Sequence, residues 1–339
     1  MIVLSICIPS YNRFYNLEKC VHSVLSSKSN EFEIVIVDNQ SPKNINETLN
    51  FYDSRLRIVN RTESVDGKLN VGNCVYYSKG KYTMLCLDKD RVDGRYIDEF
   101  IEALKSDDSI CGGYCVQNKY DENNMISIVK KDAILKFGYL SKHPSGDFFR
   151  TDILHDFMRR IGEIGQKDPF SFDLYMAECS AYGSMMRYDK PLIYLEKMED
   201  TINVKSYSFK KEDNTLFFFP QNRIDQFVTY EKHLKSLSLD KALYREVLKR
   251  IYLETLHLIT YEFRFIMKNK NICSHYRIEN RLVLDSEMNE NIQKLITQLE
   301  GISSDTKWNK KIERLGYRKY KIEKLKYFII KIMRYHRGD

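Results

Sequence analysis

The chain has 339 residues, of which 43% are hydrophobic and 30% charged, and its formal net charge is +7. This composition is typical of a folded globular protein and excludes a disordered chain or a fibrous repeat. At about 100–200 residues per domain, the length predicts two domains, or one domain with a large appendage. No apolar run reaches the ~18–20 residues of a membrane-spanning helix, so none is predicted.

The positive charge is concentrated near the carboxyl end. Residues 307–339 contain twelve Lys and Arg residues against three acidic ones, a net charge of +9, which leaves −2 for residues 1–306. The larger part of the protein is therefore close to neutral. Any electrostatic role of the basic residues is predicted to belong to the last stretch of the chain.

Strand and helix patterns alternate along the first hundred residues. Short continuous apolar runs are separated by segments in which apolar residues recur every three to four positions, as in amphipathic helices. The first run has neither the basic start nor the cleavage site of a signal peptide, so we interpret it as a strand. The predicted strands are Val3–Ile8, Glu33–Val37, Leu56–Val59 and Tyr82–Leu87, and the predicted helices are Asn16–Leu25, Asn44–Tyr52, Gly67–Ser78 and Arg95–Leu104. This alternation predicts an α/β fold with a mostly parallel sheet flanked by helices.

The middle of the chain is less regular, and the last third has a helical pattern. The predictions here are strands at Ile110–Val116, Met125–Val129 and Met185–Leu195, a loop at Gly162–Pro169, and a helix at Phe172–Tyr182 that Gly183 caps. From residue 221 onward Gly and Pro are nearly absent, which predicts a C-terminal α-helical region. The predicted organisation is a catalytic domain over 1–200, a connecting segment over 201–220 and a helical region over 221–339.

Eight cysteines are scattered along the chain without a Cys-x-x-Cys pair. Cys111 and Cys115 are four residues apart, but no second pair follows at the spacing of a zinc site. Most of the eight lie in apolar runs. We therefore expect buried, reduced thiols of the kind found in cytosolic proteins.

Three polar clusters follow three of the predicted strands: Pro9–Arg13, Asp38–Ser41 and Asp88–Asp90. The carboxyl ends of parallel strands meet at one edge of a sheet, which is where ligands bind. Tyr11 could stack on a base, Asp38 could accept hydrogen bonds from a base or ribose, and the Asp-x-Asp pair could hold a divalent cation that bridges phosphates. Helix capping and turn formation are the alternative explanation for each aspartate.

The same segments resemble glycosyltransferase family 2. Ser5–Arg13 looks like the opening strand and loop of that family, and Ile34–Ser41 looks like its second strand and nucleotide loop. Gly67–Asn73, followed by Ser78–Tyr82, resembles the helix that leads to the metal strand, and Leu87–Asp90 matches the Asp-x-Asp motif. The motifs follow one another in the family's order. The resemblance therefore implies the Rossmann-like GT-A fold.

The resemblance also implies ligands and roles. It implies a nucleotide-sugar donor, with UDP as the nucleotide, and a Mn²⁺ or Mg²⁺ cofactor. Asp90 would bind the cation, Asp88 would contact either the cation or the ribose, and either Asn70 or Asn73 would line the same pocket. The nucleotide-binding candidates are Pro9, Tyr11, Asn12, Arg13, Asp38, Asn39, Ser41, Lys68, Asn70, Asn73 and Asp88.

Inverting members of the family use a carboxylate as general base at the start of a helix well beyond the metal motif. Phe172–Tyr175 resembles this element, although Phe172 stands where the family often has Glu. Asp173 is the candidate base and Asp168 the reserve, and an acid favoured by the helix dipole is the alternative explanation. Glu196 lies near the position at which some members have a metal-binding His. The acceptor candidates, for which a Pro-Gly turn is the alternative, are His143, Ser145, Asp147 and Phe148.

The implied activity is that of an inverting, metal-dependent glycosyltransferase. Its acceptor would be a glycan or lipid-linked glycan in bacterial surface polysaccharide synthesis, at the inner face of the cytoplasmic membrane. A nucleotidyltransferase on a related sheet is one rival hypothesis, which the absence of Gly from Pro9–Arg13 disfavours. A non-catalytic assembly protein is the other.

The basic tail has more than one interpretation. Residues 317–339 place apolar residues among Lys and Arg, which predicts a helix that lies on an anionic membrane surface. A helix packed on its own protein, or on a second copy in a homo-oligomer, is the alternative. Nucleic-acid binding is a weaker third interpretation, and we expect no nucleic-acid partner.

Overall fold

The fold was analysed in a computed structural model that describes residues 1–49, 51–117, 126–139, 143–166, 168, 170–196 and 216–337. The side chains at 163, 164 and 323–337 lie outside this description. The chain divides into two compact units, Met1–Ser206 and Tyr207–Asp339. Several predictions reach beyond the described residues: the connecting segment up to residue 215, Met125 at the start of a predicted strand, Asn50 in a predicted helix, Lys167 and Pro169 in a predicted loop, and the last two residues of the basic tail.

The first unit alternates strands and helices along the chain, as its apolar pattern predicts. The strands are β1 (Leu4–Ser10), β2 (Phe32–Asp38), β3 (Leu56–Asn60), β4 (Tyr82–Leu85), β5 (Arg91–Val92), β6 (Ile110–Gln117), β7 (Ile126–Val129), β8 (Asp147–Arg150) and β9 (Ser184–Tyr194). The helices are α1 (Phe14–Leu25), α2 (Ile45–Thr48), α3 (Gly67–Tyr76), α4 (Ile97–Lys105), α5 (Ile134–Phe137), α6 (Thr151–Gln166) and α7 (Ser171–Tyr182).

The strands of the described residues form one nine-stranded sheet, in the order β3-β2-β1-β4-β8-β6-β9-β5, with β7 paired to β9. The first four strands of this order are parallel. Beyond β4 the sheet is mixed, because β8 runs antiparallel to both of its neighbours while β6 and β9 are parallel. The α/β class is confirmed, and the predicted parallel arrangement applies to the half of the sheet that contains β1, β2 and β4.

Helices cover both faces of the parallel half of the sheet. This explains why the sequences of its strands are continuously apolar. Ile6 and Ile36 pack with Val21 of α1 and Phe100 of α4 in one core cluster. On the opposite face α3 covers the sheet, and the Cys74 thiol donates to the Val35 carbonyl oxygen at 3.6 Å. The prediction about cysteines is confirmed, since all eight are buried and none forms a disulfide.

The Pro-Gly turn considered before β8 is present, because the Asp147 N–H donates to the Pro144 carbonyl oxygen at 2.9 Å, and β8 follows it into the middle of the sheet. Three local predictions were wrong. α6 continues through much of the predicted loop, broken at Gly162, which has φ of +60°. α2 is a single turn rather than a helix to Tyr52. Gly183 follows α7 but is extended rather than a left-handed cap. A Cβ atom at this position would collide with the Ser109 carbonyl oxygen, so close approach of two chain segments requires the glycine.

The described part of the second unit consists of helices joined by short connections, as the pattern from residue 221 predicts. Its helices are α8 (Pro220–Ser236), α9 (Lys241–His257), α10 (Phe263–Lys268), α11 (Lys270–Tyr276), α12 (Asp285–Ile302) and α13 (Thr306–Arg337), with a π-helical turn at Leu258–Glu262 between α9 and α10. Among the helices described, none is both long enough and apolar enough to cross a membrane.

Candidate active site

The carboxyl ends of β1, β2 and β4 lie side by side at one edge of the sheet. Ser10 at the end of β1 is the register partner of Asp38 at the end of β2, and β4 flanks β1 on its other side. The Asn39 N–H donates to the Ser10 carbonyl oxygen at 2.9 Å. The three polar clusters therefore meet at this edge, as the order of parallel strands predicts.

The loop after β1 is fastened to the loop after β2 through Asp38. This buried carboxylate accepts the Ser41 hydroxyl at 2.5 Å and the Ser41 N–H at 3.0 Å, one on each oxygen. The Ser41 oxygen in turn accepts the Asn12 N–H at 2.7 Å. Asn12 has φ of +52°, a left-handed conformation that asparagine tolerates better than most residues. The strand-end loops are thus held in place by hydrogen bonds.

Arg13 connects the same loop to the Asp-x-Asp segment. Its guanidinium donates to the Asp88 carboxylate at 3.1 Å, and only 11% and 6% of the two side chains are exposed. Burial raises the pKa of Asp88 above its usual value, and the neighbouring Arg13 cation opposes that rise. The Tyr11 ring lies on the same loop with about a third of its surface exposed (37%).

Asp90 is completely buried and is held by two distant segments of chain. The Ser145 hydroxyl donates to its Oδ2 at 2.5 Å, and the Glu196 N–H donates to its Oδ1 at 3.0 Å. His143 Nε2 lies 3.7 Å from Oδ2. The Ser145 oxygen also accepts the Leu87 N–H at 3.0 Å. The orientation of the Asp90 carboxylate is therefore fixed before any ligand binds.

The donor chemistry of this group fits a divalent cation. Asp88 and Asp90 supply carboxylate oxygens, the ligands that Mg²⁺ and Mn²⁺ prefer. Beside them, Glu196 accepts the Asn16 side-chain N–H at 2.7 Å on Oε1, while its buried Oε2 has no hydrogen-bond partner. No three metal-ligating side chains are grouped around one point in the described part of the chain.

The other nucleotide-binding candidates lie around or behind the same edge. Asn39 is buried, and its amide exchanges two hydrogen bonds with the backbone of Val65, at 2.8 and 2.9 Å. Asn70 is also buried; it donates to the Val37 carbonyl oxygen at 3.3 Å, and its own side-chain oxygen has no partner. The structure puts the remaining candidates on β1 and α3: buried Pro9, half-buried Lys68 and half-buried Asn73.

The acceptor candidates are mostly inside the protein. Ser145 and Phe148 have no exposed surface and Asp147 has 2%. The Phe148 ring packs edge-on against Phe100 at 5.2 Å between ring centroids. Among these four, only His143 offers surface to a ligand, with 27% of its side chain exposed.

The two base candidates lie at the start of α7. Asp173 is in the first turn of this helix and is 6% exposed. Asp168 accepts the Phe170 N–H on its side chain at 2.7 Å and the Ser171 N–H on its carbonyl oxygen at 3.1 Å. Asp168 thus shapes the turn into α7, whereas Asp173 lies within the helix.

Sequence reasoning missed the residues that support Asp90. Gln117 at the end of β6 donates to the carbonyl oxygens of His143 and Ser145, at 2.7 and 2.6 Å. Its amide holds the segment that carries the Ser145 hydroxyl. The only signal for this role is the pairing of β8 with β6, which brings the two segments together.

Comparison with known proteins agrees with this geometry. The model of the family described as "Glycosyl transferase family 2" matches residues 5–159. An uncharacterized protein of Mycobacterium tuberculosis (strain CDC 1551 / Oshkosh), MT1568, is 46% identical over 39 residues, which is 12% of this chain and 12% of that protein.

Solved structures of S. aureus TarS share the fold. TarS residues 1–349 superpose with a TM-score of 0.57 at 12% identity, covering 96% of this chain and 91% of that one. The complex of the same TarS fragment with UDP-GlcNAc gives a TM-score of 0.58 at 14% identity, with the same coverage. Residues 5–159, which carry the edge where Asp38, Asp88 and Asp90 meet, therefore form a domain of glycosyltransferase family 2.

Proposed function

We propose that the chain transfers a sugar from a UDP-activated donor to a glycan or lipid-linked glycan, with inversion at the anomeric carbon. The observation that carries this proposal is the meeting of Arg13, Asp38, Asp88 and Asp90 at the carboxyl edge of the parallel strands. The choice of UDP is supported by TarS, which shares the fold and has been solved with UDP and with UDP-GlcNAc.

Each polar residue of the edge has a role in this proposal. Asp38 and Ser41 receive the base or ribose, and the exposed ring of Tyr11 stacks on the base. Asp90, together with Asp88, would hold Mn²⁺ or Mg²⁺. The bound cation would supply positive charge to stabilise the leaving nucleoside diphosphate. Ser145 and the Glu196 N–H keep the Asp90 carboxylate oriented for this purpose.

The acceptor side of the proposal depends on α7. Asp173, in the first turn of α7, takes the proton of the acceptor hydroxyl, with Asp168 as the reserve. We place the reaction in bacterial surface polysaccharide synthesis at the inner face of the cytoplasmic membrane. The chain reaches that surface through its C-terminal helix, and a homo-oligomer through the C-terminal helices is the alternative use of that helix.

The sharpest test is Asp90→Asn, which keeps the side-chain volume and removes the charge. We expect donor hydrolysis, screened over nucleotide sugars with Mn²⁺, to fall at least about a hundredfold, since a fixed charge at the leaving group is lost. Asp189→Asn is the matched control, because Asp189 is also buried and carries an ion pair, with Arg187. It should leave turnover unchanged.

Three results would contradict the proposal. Metal-dependent transfer that persists in Asp90→Asn would reject the site assignment. Failure of the parent chain to bind UDP with Mn²⁺ in calorimetry would favour a non-catalytic assembly protein. Turnover of nucleoside triphosphates without release of sugar would favour a nucleotidyltransferase.

A further inference from the structure

The first half of α13 carries a stripe of basic side chains along one face. At 100° per residue, they fall within about 100° of the helix circumference and extend for about 20 Å along its axis. All six members of this basic stripe are exposed: Lys307, Lys310, Lys311, Arg314, Arg318 and Lys321.

The opposite face of the same helix is fixed to the second unit. Ile312 is 1% exposed, and Lys319 donates to the Leu253 carbonyl oxygen of α9 at 3.0 Å. At Gly316 a Cβ atom would already lie 3.1 Å from the Tyr252 ring. Because one side of α13 is packed so closely on α9, the basic stripe is held outward in a defined orientation.

None of the six stripe side chains forms a hydrogen bond or ion pair with a described residue. Several other basic residues of the unit are paired, as in Arg245–Asp305 at 2.7 Å and Arg281–Glu287 at 2.8 Å, and those that are not do not form a row of six on one helix face. Six cations that repel one another along one face cost stability unless a partner neutralises them. The basic stripe therefore has the charge pattern of a contact surface for an anionic partner.

The sequence beyond the basic stripe indicates which anionic partner fits. Positions 311 and 318 are basic, and the next two positions at the same seven-residue spacing are Leu325 and Ile332. Position 328, seven residues after Lys321, is Phe. The helix face that carries the basic stripe thus changes from basic to apolar along the sequence of α13. A membrane interface offers both phosphate headgroups and acyl chains, whereas a nucleic acid offers no counterpart for the apolar part.

We propose that α13 docks on an anionic lipid surface, with the basic stripe against the headgroups and the apolar positions of the same register next to them. This inference extends the membrane association of the proposed function, because the basic stripe begins at Lys307, ten residues before the segment 317–339. It does not depend on sugar transfer, since vesicle binding is measured without donor or acceptor and donor hydrolysis is measured without vesicles.

The test compares two triple variants of the full-length chain. Lys311→Gln/Arg314→Gln/Arg318→Gln neutralises half of the basic stripe. Lys232→Gln/Lys241→Gln/Lys270→Gln is the matched control, since these residues lie in the same unit, are exposed and lack ion pairs with the residues described. Trp308, the only tryptophan of the chain, lies at the start of α13 and reports binding by energy transfer to a dansyl lipid.

We expect the parent chain to bind phosphatidylcholine vesicles that contain phosphatidylglycerol and not those without it, and to dissociate as salt is raised. The stripe variant should partition about a hundredfold more weakly, at about fivefold for each basic residue near the surface. The control triple should bind as the parent chain does, and donor hydrolysis should be equal in all three proteins.

Equal vesicle binding by the two triple variants would overturn the inference, as would binding that ignores phosphatidylglycerol. Tighter binding of a DNA duplex than of the anionic vesicles would assign the basic stripe to nucleic acid. A dimer that the stripe variant loses in sedimentation would assign it to a second copy of the chain. A parent chain that binds the anionic vesicles but hydrolyses no donor would contradict the proposed reaction. It would leave the proposed lipid-binding surface of α13 intact.

Discussion

Ser145 shows how one hydroxyl can prepare a site from a distance. It is fully buried, donates to Asp90 and accepts the Leu87 N–H, so it joins the chain before β8 to both sides of the Asp-x-Asp segment. A buried carboxylate with both oxygens already engaged has few orientations open to it. Ser145 is in this view a positioning residue for Asp90, not an acceptor contact.

Ser145→Ala is expected to weaken Mn²⁺ binding in the presence of UDP by about 10–100-fold, the usual effect of losing a group that orients a metal ligand. The variant should also lose about 1–3 kcal/mol of unfolding free energy, because the Leu87 N–H is left without its acceptor. Mn²⁺ electron paramagnetic resonance titration measures the first effect, and urea unfolding the second.

Ser184→Ala serves as the control for that variant. Ser184 is likewise buried and its hydroxyl lies 2.8 Å from the Ser109 hydroxyl, at the amino end of β9. It should lose stability and keep the Mn²⁺ affinity of the parent chain. Equal Mn²⁺ affinity in the two alanine variants would show that Ser145 only stabilises the fold.

At this scale the sequence predicts the residues that end strands and misses those that support them. Asp38, Asp88 and Asp90 are readable because each follows a buried strand, and parallel strands bring their ends together. Ser145 and Gln117 are 55 and 27 positions from Asp90, and only the completed sheet brings them to it. Local patterns carry no information about such contacts.

At the scale of elements, Glu33 ties together the amino ends of the parallel strands. Its Oε1 accepts the Ser5 hydroxyl at 2.6 Å and the Lys79 N–H at 2.7 Å, and its Oε2 accepts from Arg57 at 3.2 Å. The group is almost completely buried, with Glu33 6% exposed. Elements β1, β2, β3 and the turn before β4 therefore share one ionic group at the end of the sheet opposite the site.

Glu33→Ala should cost about 2–3 kcal/mol of unfolding free energy, because the buried Ser5 hydroxyl loses its carboxylate acceptor. The Lys79 N–H and the Arg57 guanidinium keep the Ser5 oxygen and the Tyr77 carbonyl oxygen as acceptors. Denaturant unfolding measures the loss. Glu31→Ala, which removes an exposed ion pair with Lys105, should cost no more than about 1 kcal/mol. Similar losses in both variants would contradict the central place assigned to Glu33.

The elements that the sequence predicts well are those with long apolar runs, such as β1 and β2. β8 has four residues and follows a Pro-Ser-Gly segment, so its pattern resembles that of a turn. Its place between β4 and β6 comes from pairing with strands that are distant along the chain. The part of α6 beyond Gly162 is missed for a related reason, because glycine at a helical break is a loop signal.

At the scale of the whole molecule, the basic stripe and the candidate active site belong to different units. The strand-end site lies in the unit Met1–Ser206, and the basic stripe lies in the unit Tyr207–Asp339. Deletion of residues 317–339 removes Arg318, Lys321 and the apolar positions of the same register. It should weaken binding to anionic vesicles at least about tenfold while donor hydrolysis stays largely intact.

Sedimentation of the truncated protein with vesicles measures that effect. The deletion also removes the hydrogen bond between Gln293 and the Tyr317 hydroxyl, at 2.8 Å, so thermal unfolding should accompany the experiment. If the truncated protein is folded and binds vesicles as the parent chain does, the segment 317–339 serves in packing or self-association and not in membrane binding.

The burial of every cysteine has a practical consequence for following α13. Burial raises the pKa of the thiols of Cys7 and Cys179 above the usual range, and a thiol attacks maleimides as its thiolate. All eight native thiols are buried and so shielded from reagents in solution. A cysteine introduced at Arg314 would be the one that reacts in the folded protein. A spin label or fluorophore can thus be attached to the basic stripe, and its depth at a lipid surface measured, without removing any native cysteine.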